Sequence, residues 1–303
     1  MIDPALRDQL RDVHAYALTI YQRDALYTLD LEGFARNVAW ATDRGVRVFV
    51  VAGGTGENDA LTPPERVALA ECALATVGER ALVVPTLPGN LGEAADLALR
   101  YEALGLRVAL AMAPYTRHQV PEDPEGVYRY YEVLGTRSGL ALMPYNTQGW
   151  SAQLFERLAE VPQIVAIKDP CVEPHHLFRA IKRLGDRFVW IGNKRHDPGV
   201  LHFRFQAGIE GFTAGFVNFA PQLELALFAA AQQQDWPQMI ELQEQLAPLE
   251  QLRARFDDAG MLKATMELMG LAGGAVRPPR LDVPPAGRAA IQQELQRLGV
   301  LAA

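Results

Sequence analysis

Cysteine is almost missing from this sequence: Cys72 and Cys171 are the only two in 303 residues, and no Cys-x-x-Cys pair exists. That excludes a disulfide framework and a zinc site built on thiolates. Long apolar runs are missing as well. No segment reaches the roughly eighteen uninterrupted apolar residues of a membrane-spanning helix. The opening Met1-Ile2-Asp3-Pro4-Ala5-Leu6-Arg7-Asp8 is charged where a signal peptide would be apolar. No membrane partner and a cytoplasmic location are therefore expected. Basic blocks are absent too: 29 Lys and Arg stand against 36 Asp and Glu, a net charge of -7, so nucleic acid is not an expected partner. Fixed short repeats and low-complexity tracts are lacking, and Gly and Pro crowd together only in residues 273–285.

What is present is an ordinary globular composition, 49% hydrophobic and 21% charged, with enough apolar residues for a large core. Short apolar, β-rich runs alternate with longer stretches of helical period. The runs are Ala15 to Ile20, Val46 to Ala52, Ala81 to Pro85, Val108 to Ala113, Leu140 to Pro144, Ile164 to Lys168, Phe188 to Ile191 and Gly211 to Ala214. Helical stretches fall between them, near 31–44, 63–77, 92–104, 126–134, 152–159, 174–184 and 199–207. Such alternation is the pattern of parallel strands joined by crossover helices. Eight units predict an α/β chain folded as a closed (β/α)8 TIM barrel rather than an open doubly wound sheet. The amphipathic stretches 221–234, 236–254, 258–269 and 287–298 then form a C-terminal helical extension. The expected division is a barrel domain over 1–220, with the last barrel helix and the helical region over 221–303.

In a barrel, chemistry gathers at the C-terminal ends of strands. Three unusual groups fall there. Gly53-Gly54-Thr55-Gly56-Glu57 follows the second strand, Tyr145-Asn146 the fifth, and Lys168 closes the sixth. The glycines allow a sharp turn and close backbone approach, so the loop is either a tight connection or a neutral cradle of amides and the Thr55 hydroxyl for a carboxylate. It lacks the Lys-Ser or Lys-Thr of a Walker loop. A lysine at the end of an apolar strand either snorkels to water or, desolvated, becomes a neutral amine able to attack a ketone. A strand-end phenol beside such an amine can carry its protons.

Together with Leu61-Thr62-Pro63-Pro64-Glu65-Arg66, Gly208-Ile209-Glu210-Gly211, Asn218-Phe219-Ala220-Pro221 and Val276-Arg277-Pro278-Pro279, these motifs resemble the dihydrodipicolinate synthase and N-acetylneuraminate lyase family from Tyr16 to about Arg280. The resemblance implies a homotetrameric class I lyase acting on a small 2-oxo acid or sugar acid, without metal or organic cofactor. It implies that Lys168 forms a Schiff base with the keto carbon and that Tyr145 transfers protons. Gly54 and Thr55 would then hold the substrate carboxylate, with Gly192, Thr213 and Tyr115 also lining the site.

Three positions depart from the lysine-biosynthesis members of that family. Gly54 replaces the first of two adjacent threonines, Thr116 the second of two adjacent tyrosines, and Trp150 a carboxylate-binding arginine. Losing a bidentate partner changes what can bind. The pattern resembles the sugar-acid branch more closely, especially 5-dehydro-4-deoxyglucarate dehydratase, although Pro170 replaces a glycine and Asn58-Asp59 a pair of phenylalanines there. Dehydration or aldol cleavage of a 2-keto-3-deoxy sugar acid is the expected activity. Pyruvate–aldehyde condensation and a non-catalytic 2-oxo-acid-binding barrel are the alternatives. Adjacent His175 and His176 lack the spacing of metal ligands, and the segment 193–196 is either a solvated loop or an attractor of acidic sugars.

Overall fold

The computed structural model describes residues 3–170, 173–194 and 200–301; Cys171, Arg195 and His196 lie outside them. Eight parallel strands close in sequence order: β1 Val13–Tyr16, β2 Val48–Val51, β3 Leu82–Leu87, β4 Val108–Met112, β5 Ala141–Tyr145, β6 Ala166–Lys168, β7 Val189–Asn193 and β8 Gly211–Ala214. The first strand pairs with both the second and the eighth, which completes the TIM barrel.

Strand residues alternate between two apolar environments, the arrangement that lets a parallel sheet be buried on both faces. Val48, Val50, Leu82, Val84, Val108, Leu110, Val189 and Ile191 fill the barrel interior. Their neighbours Phe49, Val51, Val83, Ala109, Trp190 and Phe212 face outward into the layer beneath the helices. That outer layer is supplied by α2 Leu31–Asp43, α3 Pro63–Val77, α4 Leu91–Ala103, α5 Pro124–Gly135, α6 Ala152–Leu158, α7 Pro174–Leu184, α8 Leu201–Gln206 and α9 Pro221–Gln232. Helix starts are locally encoded. Thr62 and Glu65 form a capping box ahead of α3, while Asn90, Asp123 and Ser151 each accept amides at the first turns of α4, α5 and α6.

A helix not predicted from the sequence, α1 Pro4–Leu10, comes first. Asp3 accepts the Ala5 amide at 3.1 Å and Pro4 occupies the first turn, where a missing N–H costs nothing. Leu6 and Leu10 belong to the interior cluster, so α1 plugs the N-terminal end of the barrel. Accordingly β1 begins and ends earlier than the apolar run 15–20 suggests. Ala17 adds one ladder bond to the Val50 carbonyl at 3.0 Å, and the chain then leaves the sheet while remaining buried.

After α9 come α10 Trp236–Arg255, α11 Asp258–Leu268 and α12 Pro285–Arg297. Met261 and Met266 are buried in the same outer core as the barrel helices. Tyr128, Tyr130 and Tyr131 are buried within the chain. Tyr130 donates to the Pro88 carbonyl at 2.8 Å, and Tyr131 meets Trp150 edge-on at 5.7 Å.

Candidate active site

Lys168 and Tyr145 are register partners on β6 and β5, so both side chains project from the same level of the barrel toward its C-terminal mouth. The amine end of Lys168 is enclosed by two phenol rings. Its Nζ lies 3.7 Å from the centre of the Tyr145 ring and 4.0 Å from that of Tyr16, and donates to the Tyr16 hydroxyl at 2.6 Å. Burial, reinforced by the positive charge of Arg253 and opposed by Asp258, holds the Lys168 amine well below the ordinary lysine pKa. Burial, followed by the neighbouring Tyr145, pushes the Tyr16 phenol well above its usual value. Burial thus favours the neutral amine of Lys168 and the protonated phenol of Tyr16.

The glycine loop forms the next wall. Gly53 lies where a Cβ would come within 2.7 Å of the Tyr16 ring, so its lack of a side chain is what lets that ring stand beside Lys168. The loop closes on itself through Glu57 N–H to Gly54 O and Asn58 N–H to Gly53 O, both 3.1 Å. Glu57, in the left-handed region at φ 58°, sends its carboxylate inward. There it pairs with Lys263 of α11 and accepts the Arg277 amide at 2.9 Å. Asn146 organises the opposite side. Its amide donates to Asp169 at 2.6 Å while its oxygen accepts the Gln148 and Trp150 amides at 3.1 Å, joining the loops after β5 and β6.

These groups open on a cavity of about 210 Å³ lined by Tyr16, Gly54, Thr55, Tyr145, Lys168, Asn193, Thr213, Ala214, Gly215, Arg253 and Asp258. Five of the sequence-predicted residues are thus brought together: Lys168, Tyr145, Gly54, Thr55 and Thr213. Gly192 is not among them. It registers with the outward-facing Phe212, and a Cβ on it would meet Ile209 at 2.6 Å. Strand alternation puts Asn193, one residue on, into the cavity, where it accepts the Thr213 hydroxyl at 2.9 Å. Tyr115 also falls elsewhere. It is 46% exposed, bonds the Thr147 hydroxyl at 3.0 Å, and lines a separate open cleft.

Lys194, read from sequence as solvated or ligand-attracting, is neither. It is buried over the Phe216 ring, paired with Glu224 and with Glu250 at 2.9 Å. Trp150 packs edge-on between Tyr131 and Phe155 and donates its indole N–H to Gln148 at 3.0 Å. His175 is exposed, and among the described residues no cluster of three metal-ligating side chains occurs. Tyr16, Arg253 and Asp258 are absent from the sequence expectation. Tyr16 had a signal in principle, since it is a tyrosine in an apolar strand; the other two lie on helices whose period reveals a buried face but not its partner.

The sequence matches the Dihydrodipicolinate synthetase family over residues 10–298, nearly the whole chain. The chain belongs to that family. Among curated relatives, it is 27% identical to a 4-hydroxy-tetrahydrodipicolinate synthase of Anaeromyxobacter sp., over 90% of this chain and 92% of the relative. It is 26% identical to a probable 5-dehydro-4-deoxyglucarate dehydratase of Oceanobacillus iheyensis, covering 83% of each. A solved dihydrodipicolinate synthase from Oceanobacillus iheyensis superposes with a TM-score of 0.88 at 22% identity, over 97% of this chain and 98% of that one, a likeness of fold. As a member of the Dihydrodipicolinate synthetase family, the chain is a lyase acting on small-molecule acids. Among the described residues no helix is long and apolar enough to cross a membrane.

Proposed function

We propose that this lyase forms a Schiff base between Lys168 and a 2-oxo acid, and uses it to dehydrate or cleave a 2-keto-3-deoxy sugar acid of the 5-dehydro-4-deoxyglucarate type. The observation that carries the reading is the burial of Lys168 between the rings of Tyr16 and Tyr145, beside the Gly54-Thr55 turn, where desolvation lowers its pKa. The amide of Gly54 and the hydroxyl of Thr55, both cavity-lining residues, receive the substrate carboxylate, which sets the keto carbon against Nζ. Attack gives a carbinolamine. Tyr145 protonates its oxygen, which leaves as water, and the resulting iminium makes C3 acidic. The Tyr145 phenolate left by that step takes the C3 proton, and the C3–H electrons form an enamine. Expulsion of a C4 hydroxyl from it is dehydration; alternatively, C3–C4 cleavage driven by loss of the C4 hydroxyl proton releases an aldehyde and leaves the pyruvate enamine.

Dihydrodipicolinate-type condensation is disfavoured by Trp150, which stands where the resemblance puts a carboxylate-binding arginine and is locked into an aromatic stack. The homotetramer implied by the resemblance and the cytoplasmic location expected from the sequence belong to this proposal as well. Borohydride added with pyruvate should leave a stable mass increment on the peptide carrying Lys168. An unmodified Lys168, or turnover retained by Lys168→Ala, would sink the reading. Water loss or pyruvate release across a panel of 2-keto-3-deoxy acids then separates dehydratase from aldolase.

A further inference from the structure

The chemistry above uses Lys168, Tyr145 and the glycine turn, and leaves the α10–α11 flank of the cavity without a task. Arg253, in the last turn of α10, lines that flank with its side chain 13% exposed. Its guanidinium reaches the cavity over Gly215, where a Cβ would lie 2.9 Å from Nη1 and 3.0 Å from Nη2, so any larger residue there would collide with it. Asp258 accepts from Nε, and Glu250 stands behind Nη1 at 3.7 Å. Among the described residues, neither Nη1 nor Nη2 makes a hydrogen bond. Although burial opposes the charge, the carboxylates of Asp258, Glu250 and Glu224 keep the guanidinium ionised. Arg253 is therefore the one permanent cation among the described cavity-lining residues, with neither Nη hydrogen-bonded and only Nη1 within ion-pair range of Glu250.

We propose that Arg253 is a specificity-determining residue that receives a second, terminal carboxylate of the 2-oxo acid, making a dicarboxylate the preferred substrate class. The inference rests on the imine reading of Lys168. The glycine turn after β2 and Gly215 after β8 flank β1, whose Tyr16 holds the Lys168 amine, so the two carboxylate subsites enter the cavity from different sides of that tyrosine. Asp258 fixes the guanidinium through Nε and leaves the Nη1–Nη2 edge for a bidentate partner. The helical extension thereby supplies the recognition group for the far end of a substrate whose reacting end is held by the barrel.

Borohydride trapping tests this without requiring turnover, using 2-oxoadipate and 2-oxohexanoate, six-carbon 2-oxo acids that differ at the terminal carboxylate. The unaltered protein should trap 2-oxoadipate at about 10- to 100-fold lower concentration, the range expected of a charge-assisted pair. Arg253→Gln should erase that preference, so that 2-oxoadipate and 2-oxohexanoate are trapped at the same concentration. Arg253→Lys, which keeps the charge but not the fork, should fall between. Loss of the positive charge should also move the acid limb of pyruvate trapping to higher pH, because Arg253 helps depress the Lys168 pKa. Equal trapping of the two six-carbon acids by the unaltered protein, or a preference that survives Arg253→Gln, overturns the proposal while leaving the imine intact. Failure of pyruvate itself to be trapped overturns both. Should Arg253→Gln fail to fold, the preference of the unaltered protein still decides.

Discussion

Lys263→Met tests how the glycine turn is held. Lys263 and Glu57 are 1% and 0% exposed, and they join α11 to the loop after β2. The lysine also donates to the Ala275 carbonyl at 2.6 Å, while Glu57 takes the Arg277 amide at 2.9 Å. Methionine nearly conserves the volume, so the cost comes from a carboxylate left in the interior with a single amide and from an orphaned carbonyl. Breaking one side of a buried pair costs about 3–5 kcal/mol. When Lys263→Met is combined with Glu57→Gln the stranded charge is gone, and the oxygen of the introduced glutamine side chain can still accept the Arg277 amide; the double variant should lose only about 1–2 kcal/mol. Glu57→Gln alone strands the buried ammonium at a similar cost, so urea unfolding of the four proteins should close the cycle with a coupling above about 4 kcal/mol. Pyruvate trapping by Lys263→Met should weaken as well, since Gly54 and Thr55 belong to the same turn. A single-variant cost below about 1 kcal/mol, or strictly additive losses, would refute the reasoning.

Tyr145→Phe keeps the ring against Lys168 and removes the hydroxyl; turnover should drop about 10²- to 10⁴-fold while the thermal midpoint stays within a few degrees. Near-normal steady-state rates would assign the proton transfer elsewhere, with Tyr16 the first alternative. Gly192→Ala adds a methyl toward the flexible end of Ile209, outside the cavity, so kcat/KM should change by less than about threefold. A large loss of activity with unaltered stability would return Gly192 to the substrate.

The barrel was readable because its strands are short apolar runs separated by helical period, and because eight of them recur between Ala15 and Ala214. The central amine was readable for a related reason, since a lysine ending such a run conflicts with its surroundings. Gly192 was misplaced even though the information was present. Along Val189-Trp190-Ile191-Gly192-Asn193, alternate residues share a face, and the interior Ile191 commits Asn193 rather than Gly192 to the site. The α1 plug was equally legible in Asp3-Pro4, a helix-start signal masked by the charged residues around it. Arg253 and Asp258 are different. Their approach to Lys168 is produced by helix packing after two further strands, β7 and β8, and no local pattern records which side chain will arrive over Gly215.

The plug at the N-terminal end has a consequence for the traffic of water. With Leu6 and Leu10 seated beneath several layers of valine and leucine, exchange has to pass the helical rim above Lys168. In the proposed cycle, imine formation expels one water into that small chamber, and release of product consumes one. A barrel sealed below keeps both transactions on the same side of the amine, so the enzyme ends each cycle by drawing water through the opening its substrate used to enter.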